Sequence, residues 1–255
     1  MTRTFDRIPV FDERSRDFPI RAMLRNPRPR SAFWPCTAHL DQGREGACVG
    51  FGLAHNLACL PDPSPVTACF ARERIYWPAQ RIDAYPGGSY PGARPTMHGT
   101  SLLAGLKVLK SIGACSGYRW AFGLGDLVYG MQTGPAVLGL TWYEGMLVPD
   151  AAGVIHPTGA AIGGHCILCH GVQWKAGRLI LRNSWGPSWG DHGDCYLPFA
   201  HARKLLDESG EAAFLIDREF LDIPNLPPDK HTMSRSPWWT RLWPWRTRAH
   251  QGTTP

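Results

Sequence analysis

Residues 41–51 read DQGREGACVGF, and this stretch decides how the rest of the chain is interpreted. Gln42 stands six residues before Cys48, and a helix-compatible run, VGFGLAHNLACL, follows the cysteine at once. This arrangement predicts a thiol at a helix N-terminus, where backbone N–H groups without helical partners and the helix dipole favour the thiolate. The side chain of Gln42 can place an N–H beside the backbone N–H of Cys48, and two such donors suit an oxyanion.

Two later segments supply the other groups that a thiol-based acyl transfer needs. His165 begins a short apolar run in GGHCILCHGV, and Asn183 follows a strand-like LIL in LILRNSWGPSWGDHGDCYLPF. A thiolate attacks a carbonyl, an imidazole moves the proton, and an amide oxygen holds the imidazole in one orientation. The order Gln, Cys, His, Asn therefore predicts a catalytic set of Gln42, Cys48, His165 and Asn183.

These segments resemble those of the papain-like cysteine peptidases, and in particular short bacterial or phage-type members without a long propeptide. The resemblance rests on DQGREGAC, on GGH and on NSWGPSWGDHGD. It implies that Gln42 is the oxyanion-hole donor, Cys48 the nucleophile, His165 the general base and acid, and Asn183 the residue that orients the imidazole. It also implies that Trp185 covers the hydrogen bond between Asn183 and His165.

The chain departs from the family pattern at several positions. Glu45 stands where the family has a second cysteine, Val49 replaces an aromatic residue, and Gly164 replaces an aspartate of many plant members. No cysteine occurs in residues 85–99, so the family's first structural disulfide is absent. Two interpretations of Glu45 stay open, a solvated loop charge or a charge that tunes the thiolate–imidazolium pair.

The order of predicted elements indicates an α+β fold. Helices are predicted over 48–60, 66–80, 100–112 with Thr100 as N-cap, and 127–133. Strands are predicted in PAVLGLTWY, VIHP, CILCHGV, RLILRNSW and DCYLPF. Helices first and strands later predict two lobes, a helical N-terminal lobe and an antiparallel β-sheet or barrel C-terminal lobe. Because the cysteine belongs to one lobe and the histidine and asparagine to the other, the active-site cleft lies between them.

Glycine-rich segments are predicted to line that cleft, because glycine allows a ligand backbone to approach closely. The resemblance implies one wall in two loops and an opposite wall beside His165. The predicted cleft residues are Gly87, Gly88, Gly99, Thr100, Gly163 and Gly164. The alternative, that these are ordinary turn glycines, stays open.

The composition is that of a globular enzyme, with 44% hydrophobic and 19% charged residues in a chain of 255. We divide it into a Pro/Arg-rich arm (1–40, predicted to be extended), a peptidase domain (41–230) and a Trp/Arg-rich tail (231–255). No run of apolar residues is long enough for a transmembrane helix. The charged N-terminus lacks a signal-peptide core, which predicts a cytoplasmic location and leaves release by lysis open.

Eight scattered cysteines are predicted to be reduced and mostly buried, as in a cytoplasmic protein. The run Cys166–His170 has the C-x-x-C-H pattern of haem attachment. Its aliphatic residues and the missing export signal favour core packing instead. We therefore expect no haem, no metal site and no other cofactor.

The tail over 236–250, SPWWTRLWPWRTRAH, holds four of the eleven tryptophans of the chain. Residues 231–255 also carry four arginines and no acidic residue. Interleaved Trp and Arg suit a membrane surface or a nucleic acid. A tail that packs on the body or stays disordered is the alternative.

The predicted function is a cysteine-type endopeptidase that hydrolyses peptide or protein substrates through an acyl-enzyme on Cys48. Two alternatives stay open: a non-catalytic papain-like binding module, and a thiol hydrolase or transferase acting on another amide or isopeptide bond. Only 47 residues precede Cys48, too few for a long helical prodomain. Either the Pro/Arg-rich arm occupies the cleft, or the enzyme is made active and is restrained by its specificity.

Overall fold

The computed structural model of the protein describes residues 5–24 and 28–221. The predicted tail, residues 231–255, lies outside the described residues. Within them, most helices precede most strands, and the predicted α+β class is confirmed. None of the described helices combines the length and the apolar composition that a membrane crossing requires.

The described residues contain six α-helices, and five of them lie in the first 130 residues. They are α1 (Cys48–Leu57), α2 (Ala68–Phe70), α3 (Trp77–Ile82), α4 (Leu102–Ser111), α5 (Leu124–Gly130) and α6 (Phe199–Ser209). A π-helical segment, Ala71–Tyr76, joins α2 to α3, so that the helix predicted over 66–80 spans 68–82. Its first turn is capped by the hydroxyl of Thr67, which accepts the N–H of Phe70 at 3.1 Å.

The predicted N-cap of α4 is wrong by one residue. Ser101 is the cap, and its hydroxyl accepts the N–H of Ala104 at 3.1 Å. Thr100 is fully buried and donates its hydroxyl to Asp83 at 2.6 Å. Its side chain is therefore engaged with α3 and its neighbouring loop rather than with the first turn of α4.

Seven antiparallel strands form one sheet in the described part of the chain. They are β1 (Ala32–Phe33), β2 (Cys115–Trp120), β3 (Ala136–Tyr143), β4 (Ala161–Gln173), β5 (Arg178–Arg182), β6 (Asp194–Pro198) and β7 (Glu211–Arg218). The order across the sheet is β2-β7-β3-β4-β5-β6, and β1 pairs with the end of β4. The long strand β4 is central, since it pairs with β3, β5 and β1.

Four of the five predicted strands are present, and VIHP is not one of them. Val154 forms only a single bridge to Tyr196, and Pro157 lacks the N–H that a ladder needs. Strands β1, β2 and β7 and helix α6 were not predicted. The sequence of β2, CSGYRW, carries too little hydrophobic alternation to be recognised without its partner β7.

The N-terminal arm is also more structured than the predicted extended segment. It contains two 3-10 helices, Glu13–Asp17 and Ile20–Met23, before it enters β1. Ile20 is fully buried among residues that include Leu127 and Leu138. The N–H of Trp120 donates to the carbonyl of Phe18 at 2.9 Å, which ties the arm to β2.

Two hydrophobic cores define the two lobes. The first joins α1, the π-helical segment and α4, and α1 approaches the π-helical segment closely at Gly50, where a Cβ would lie 2.4 Å from the carbonyl oxygen of Ala71. The second lies among the strands, α5 and α6. The N-terminus of α1 and the start of β4 face the cleft between these lobes.

Candidate active site

The predicted nucleophile begins α1. Cys48 is the first residue of the helix, after Ala47, whose side chain makes no capping bond. The thiol therefore lies at the N-terminal end of the helix, as the sequence predicted. Cys48 is fully buried, because another segment of the chain covers it.

The predicted His–Asn pair is formed across two strands. His165 lies in β4, opposite Leu140 of β3, and Asn183 follows the last residue of β5. Nε2 of His165 lies 2.8 Å from Oδ1 of Asn183, and both side chains are buried. An N–H on Nε2 donates to this amide oxygen, and Nδ1 is then the basic nitrogen. The same amide oxygen accepts the N–H of Ser184 at 2.8 Å, which fixes its orientation.

Three aromatic side chains surround the imidazole. The ring of Trp185 lies 5.2 Å from that of His165, as predicted for the group that covers the pair. Trp142, on β3, lies at 4.7 Å and Phe5, in the arm, at 5.9 Å. Neither of these two residues belongs to a recognised motif, so their position beside the imidazole could not be predicted. Together they keep water away from the His165–Asn183 hydrogen bond.

Gln42 is held between the two lobes. Its Nε2 donates to the carbonyl of Glu45 at 2.8 Å, and its Oε1 accepts the hydroxyl of Ser184 at 2.6 Å. Its backbone N–H also donates to the carbonyl of Ser184 at 2.9 Å. The side chain is thus oriented by the turn that carries Asn183, although its amide N–H is engaged with a neighbouring carbonyl.

Glu45 is not a solvated loop charge, and its influence on the thiolate–imidazolium pair stays a prediction. Its carboxylate pairs with the guanidinium of Arg72 and accepts the indole N–H of Trp77 at 3.3 Å. Glu45 therefore fastens the loop before Cys48 to the helical stretch 68–82. Val49, the other departure, is buried in the core of the helical lobe.

The N-terminal arm runs through the predicted cleft. The N–H of Arg7 donates to the carbonyl of Gly164 at 2.8 Å, and the N–H of Ile8 donates to the carbonyl of Thr100 at 3.1 Å. The arm therefore forms a backbone bridge with one residue of each lobe, and in both bridges the two chain segments run parallel. Backbone pairing of this kind is how an extended peptide adds to a strand edge.

Three of the predicted cleft glycines are required by this close approach. A Cβ on Gly99 would lie 1.9 Å from the carbonyl oxygen of Asp6, and one on Gly164 would lie 2.1 Å from that of Arg7. A Cβ on Gly163 would lie 2.5 Å from Cβ of Phe5. No side chain fits at these distances, so the arm lies where only glycine permits it.

Gly87 and Gly88 are not brought against the arm. The nearest atoms to a Cβ at these positions belong to Pro95 for Gly87 and to Tyr90 for Gly88. Gly88 instead pairs with Thr96 within its own loop. Four of the six predicted cleft residues thus line the occupied cleft, and these two close a neighbouring turn.

The pKa of the covered Cys48 thiol is raised, whereas a position at a helix N-terminus is expected to lower it. Burial raises the pKa of Cys48 to about 11, and hydrogen bonds from the backbone of Cys166 and Asp6 act in the lowering direction. Burial also raises the pKa of the Asp6 carboxyl, while His98 lowers it. With the arm in the cleft, Cys48 is therefore a neutral thiol at pH 7.

The C-x-x-C-H run lies inside β4. Cys166, Cys169 and His170 are fully buried, and the Sγ of Cys169 lies 3.7 Å from the carbonyl oxygen of Gly171. None of the eight cysteines forms a disulfide bond in the described residues. Within residues 5–24 and 28–221, no group of three or more His, Cys, Asp or Glu side chains is arranged to hold a metal ion.

Comparisons with known proteins give a match in structure alone. No model of a protein family matches the sequence, and no curated protein does. Xylellain, a cysteine protease from Xylella fastidiosa, matches with a TM-score of 0.61 at 18% identity, over 86% of this chain and 100% of that one. The ragweed pollen cysteine protease Amb a 11, in its proform, matches with a TM-score of 0.51 at 17% identity, over 87% and 68%.

A third match is digestive procathepsin L 3 of Tenebrio molitor, with a TM-score of 0.50 at 15% identity, over 78% of this chain and 73% of that one. The first two of these proteins are cysteine proteases, and the third is a procathepsin. At these identities the likeness concerns the backbone, and it agrees with the helical lobe, the antiparallel sheet and the cleft between them. The protein has the papain-like peptidase fold.

Proposed function

We propose that the protein is a papain-like cysteine endopeptidase that hydrolyses peptide bonds through an acyl-enzyme on Cys48. The observation that carries this proposal is the buried 2.8 Å contact between Nε2 of His165 and Oδ1 of Asn183, under the ring of Trp185. Cys48 begins α1, and the backbone of Cys166, the residue after His165, hydrogen-bonds to its thiol. A module that only binds peptides needs no oriented imidazole beside a thiol.

In the proposed reaction, Sγ of Cys48 attacks the carbonyl carbon of the scissile bond as its proton passes to Nδ1 of His165. The carbonyl oxygen becomes an oxyanion, which the backbone N–H of Cys48 and the side-chain amide of Gln42 stabilise. His165 then protonates the leaving amine, and the acyl-enzyme forms. Water, deprotonated by His165, releases the carboxylic acid and restores the thiol.

The described arrangement corresponds to a latent state of this enzyme. Residues 5–8 occupy the cleft, and the pKa of the covered Cys48 thiol is raised to about 11 by burial. Departure of the arm returns water to the thiol and removes the main cause of this shift. One N–H of the Gln42 amide donates to the carbonyl of Glu45, and the second N–H of the same nitrogen is the proposed donor to the oxyanion.

The test is labelling of the full chain with an epoxide-type thiol inactivator, followed by intact-mass analysis, together with hydrolysis of a fluorogenic peptide library. We expect one label on the wild type and none on Cys48→Ala. His165→Ala should label and hydrolyse at least about a hundredfold more slowly, because general acid–base catalysis contributes that much. Cys69→Ala is the matched control, because Cys69 is a partly exposed thiol outside the site.

The proposal fails if Cys48→Ala takes the label as fast as the wild type. It also fails if Cys48 is labelled but no peptide of the library is cleaved by the wild type or by Phe5→Ala, in which the contact of the arm with His165 is removed. The latter result would favour one of the alternatives, a binding module or a thiol enzyme that acts on another amide bond.

A further inference from the structure

Two cysteines face each other where the segment after β1 passes the end of α1. Cys36 and Cys59 form an isolated antiparallel bridge. Two backbone hydrogen bonds of 2.9 Å flank this bridge, from the N–H of Thr37 to Ala58 and from the N–H of Leu60 to Pro35. The cysteines therefore form a pair that is not itself hydrogen-bonded through the backbone, and such a pair brings its Cα atoms to about 4.5 Å.

The backbone at this bridge has the geometry that a disulfide needs. Disulfides join residues whose Cα atoms are about 4.4–6.8 Å apart, and the Cys36–Cys59 pair falls within that range. Both sulfurs also point to the same place, since Sγ of Cys36 lies 3.3 Å and Sγ of Cys59 lies 3.4 Å from the carbonyl oxygen of His55. The two thiols hydrogen-bond to each other. The fold thus holds the two sulfurs side by side.

The two thiols differ in exposure and in acidity. Cys36 is partly exposed, whereas Cys59 is fully buried. Burial alone would raise the pKa of Cys36, but the hydrogen bond from Cys59 and the guanidinium of Arg182 lower it below its ordinary value. Burial raises the pKa of Cys59 well above its ordinary value. Cys36 is therefore the thiol that a reagent reaches as a thiolate, and Cys59 is the thiol that lies beside it.

We propose that Cys36 and Cys59 form a thiol–disulfide exchange site, which takes low-molecular-weight disulfides as its oxidising substrate and closes into a protein disulfide. Cys36 is the attacking residue and Cys59 the resolving residue. Neither belongs to the proposed catalytic set, so this inference goes beyond the peptidase function and does not depend on it.

The exchange proceeds through two substitutions at sulfur. The thiolate of Cys36 attacks one sulfur of the small disulfide, whose S–S bond breaks, and a mixed disulfide on Cys36 and one small thiolate are formed. Cys59 then attacks Sγ of Cys36, and the second small thiolate leaves. The first small thiolate takes up the proton that Cys36 gave to water, and the second takes up that of Cys59. Two protein thiols are oxidised, and one small disulfide is reduced to two thiols.

The disulfide would enclose the proposed nucleophile in a short loop. Residues 37–58 lie between the two cysteines, and they include Gln42, Cys48 and the whole of α1. A cross-link across such a loop removes conformations from the unfolded chain and so stabilises the native state. Oxidation of this pair is therefore expected to secure the part of the chain that carries the thiol.

Two other buried cysteines of the sheet provide a matched control. Cys169 of β4 and Cys195 of β6 both lie opposite Leu181 of β5, one on each side. Two strand spacings separate them, roughly 9–10 Å, which is beyond the reach of a disulfide. These two thiols should therefore stay reduced under conditions that oxidise Cys36 and Cys59.

The experiment treats the folded, full-length wild type with millimolar oxidised glutathione, followed by an acid quench, alkylation of the remaining thiols in denaturant and peptide mapping. We expect Cys36 and Cys59 to be lost from alkylation together and to be recovered in one cross-linked peptide, whose fragmentation identifies both. Cys169 and Cys195 should be alkylated in full. Cys59→Ser should stop at a single glutathione on Cys36, and Cys36→Ser should leave Cys59 fully alkylated.

Thermal unfolding measures the effect of the cross-link on the fold. The oxidised wild type should melt roughly 6–12 °C above the reduced wild type, because the disulfide closes a loop of this length. The same treatment should not shift the melting temperature of Cys36→Ser.

The inference is overturned if the wild type keeps both thiols, carries glutathione on Cys36 without linkage to Cys59, or links either cysteine to another partner. A melting temperature that stays the same or falls on oxidation also overturns it, because the disulfide would then not fit the native backbone. None of these measurements involves peptide hydrolysis, so this inference and the peptidase function fail separately.

Discussion

At the scale of single residues, the contact between Arg7 and Glu211, in which Nε donates to Oε2 at 3.2 Å, makes the occupancy of the cleft sensitive to pH. Burial raises the pKa of Glu211 to about 7, although Arg7 acts in the lowering direction. The carboxylate is ionised above that pH and becomes protonated as the pH falls through it. The ion pair that holds the arm is therefore complete at pH 8 and weakened at pH 5.

This difference predicts how the rate of Cys48 labelling changes with pH. The ratio of the labelling rate of Arg7→Ala to that of the wild type should be large at pH 8 and should fall towards one at pH 5. Asp6 is present in both chains, and although Arg7 also lowers the pKa of Cys48 and Cys166, burial keeps both of these pKa values above the range from pH 5 to pH 8. A ratio that is constant from pH 5 to pH 8 would contradict this prediction.

The residues of the site differ in how visible they are in the sequence. Cys48, His165 and Asn183 lie in segments that resemble motifs of a known family, so the contact of His165 with Asn183 and the position of Cys48 at a helix start could be predicted. Arg7 and Glu211 could not, because their contact joins the first residues of the chain to a strand more than two hundred residues later. Single charged residues outside a motif usually face solvent, and no spacing distinguishes these two.

At the scale of elements, a buried ion pair fixes the β5–β6 hairpin behind the site. The guanidinium of Arg182 pairs with the carboxylate of Asp194 and also donates to the carbonyl of Ala38 at 2.8 Å. Although burial alone would raise it, His170 and Arg182 hold the pKa of Asp194 well below its usual range. Because Asn183 follows Arg182 directly, this pair also fixes the residue that orients the imidazole.

Asp194→Asn should destabilise the fold at pH 7 by about 3–5 kcal/mol, because it leaves the buried Arg182 without its counter-charge. A carboxylate with a depressed pKa stabilises the native state above its unfolded pKa, near 4, and loses this effect as the pH falls further. The difference between variant and wild type should therefore shrink below pH 4. Urea unfolding at pH 7 and pH 3.5 measures both values.

Asp150→Asn is the matched control for this prediction, because Asp150 pairs with His156 at the surface. We expect little change in its unfolding free energy at either pH. Equal stability of Asp194→Asn and the wild type at pH 7 would contradict the structural role of the pair.

Elements with strong periodicity were predictable, and those that depend on a partner were not. Helix α4 shows an apolar stripe at helical spacing, and β3 and β4 are runs of apolar residues. Strand β2 has few apolar residues, and its ladder depends on β7, which the sequence places almost a hundred residues away. The N-cap of α4 is Ser101 rather than the predicted Thr100, because the hydroxyl of Thr100 donates to Asp83. Only tertiary contacts decide between two adjacent residues that can both cap a helix.

At the scale of the whole molecule, the arm crosses both lobes before it joins the sheet. It pairs with Gly164 and Thr100 in the cleft, passes Trp120 at the edge strand β2, and ends in β1 on β4. The sequence left open whether the arm occupies the cleft, because its Pro/Arg-rich composition carries no folding signal of its own. The position of the arm is therefore determined by its contacts with the two lobes and with β2.

Removal of one aromatic contact should release the cleft segment. Phe5 packs edge-on against His165 and Trp185, with ring centroids 5.9 and 5.8 Å apart. Phe5→Ala should therefore accelerate labelling of Cys48 by about fivefold, since an aromatic contact contributes roughly 1 kcal/mol beyond its buried area. Phe11→Ala is the matched control, because Phe11 is 64% exposed. Equal acceleration by both substitutions would show that the contact with the site is not what holds the arm.

The anchoring of the arm at β1 makes the occupant of the cleft part of the same chain. Residues 9–31 connect the two points, so the occupant is present at an effective concentration that does not depend on how dilute the protein is. A single cut in this connection, for example beside the exposed Arg14, converts an intramolecular contact into a bimolecular one. Simple dilution would then suffice to empty the cleft, and occupancy of the cleft in the cut protein would depend on the protein concentration.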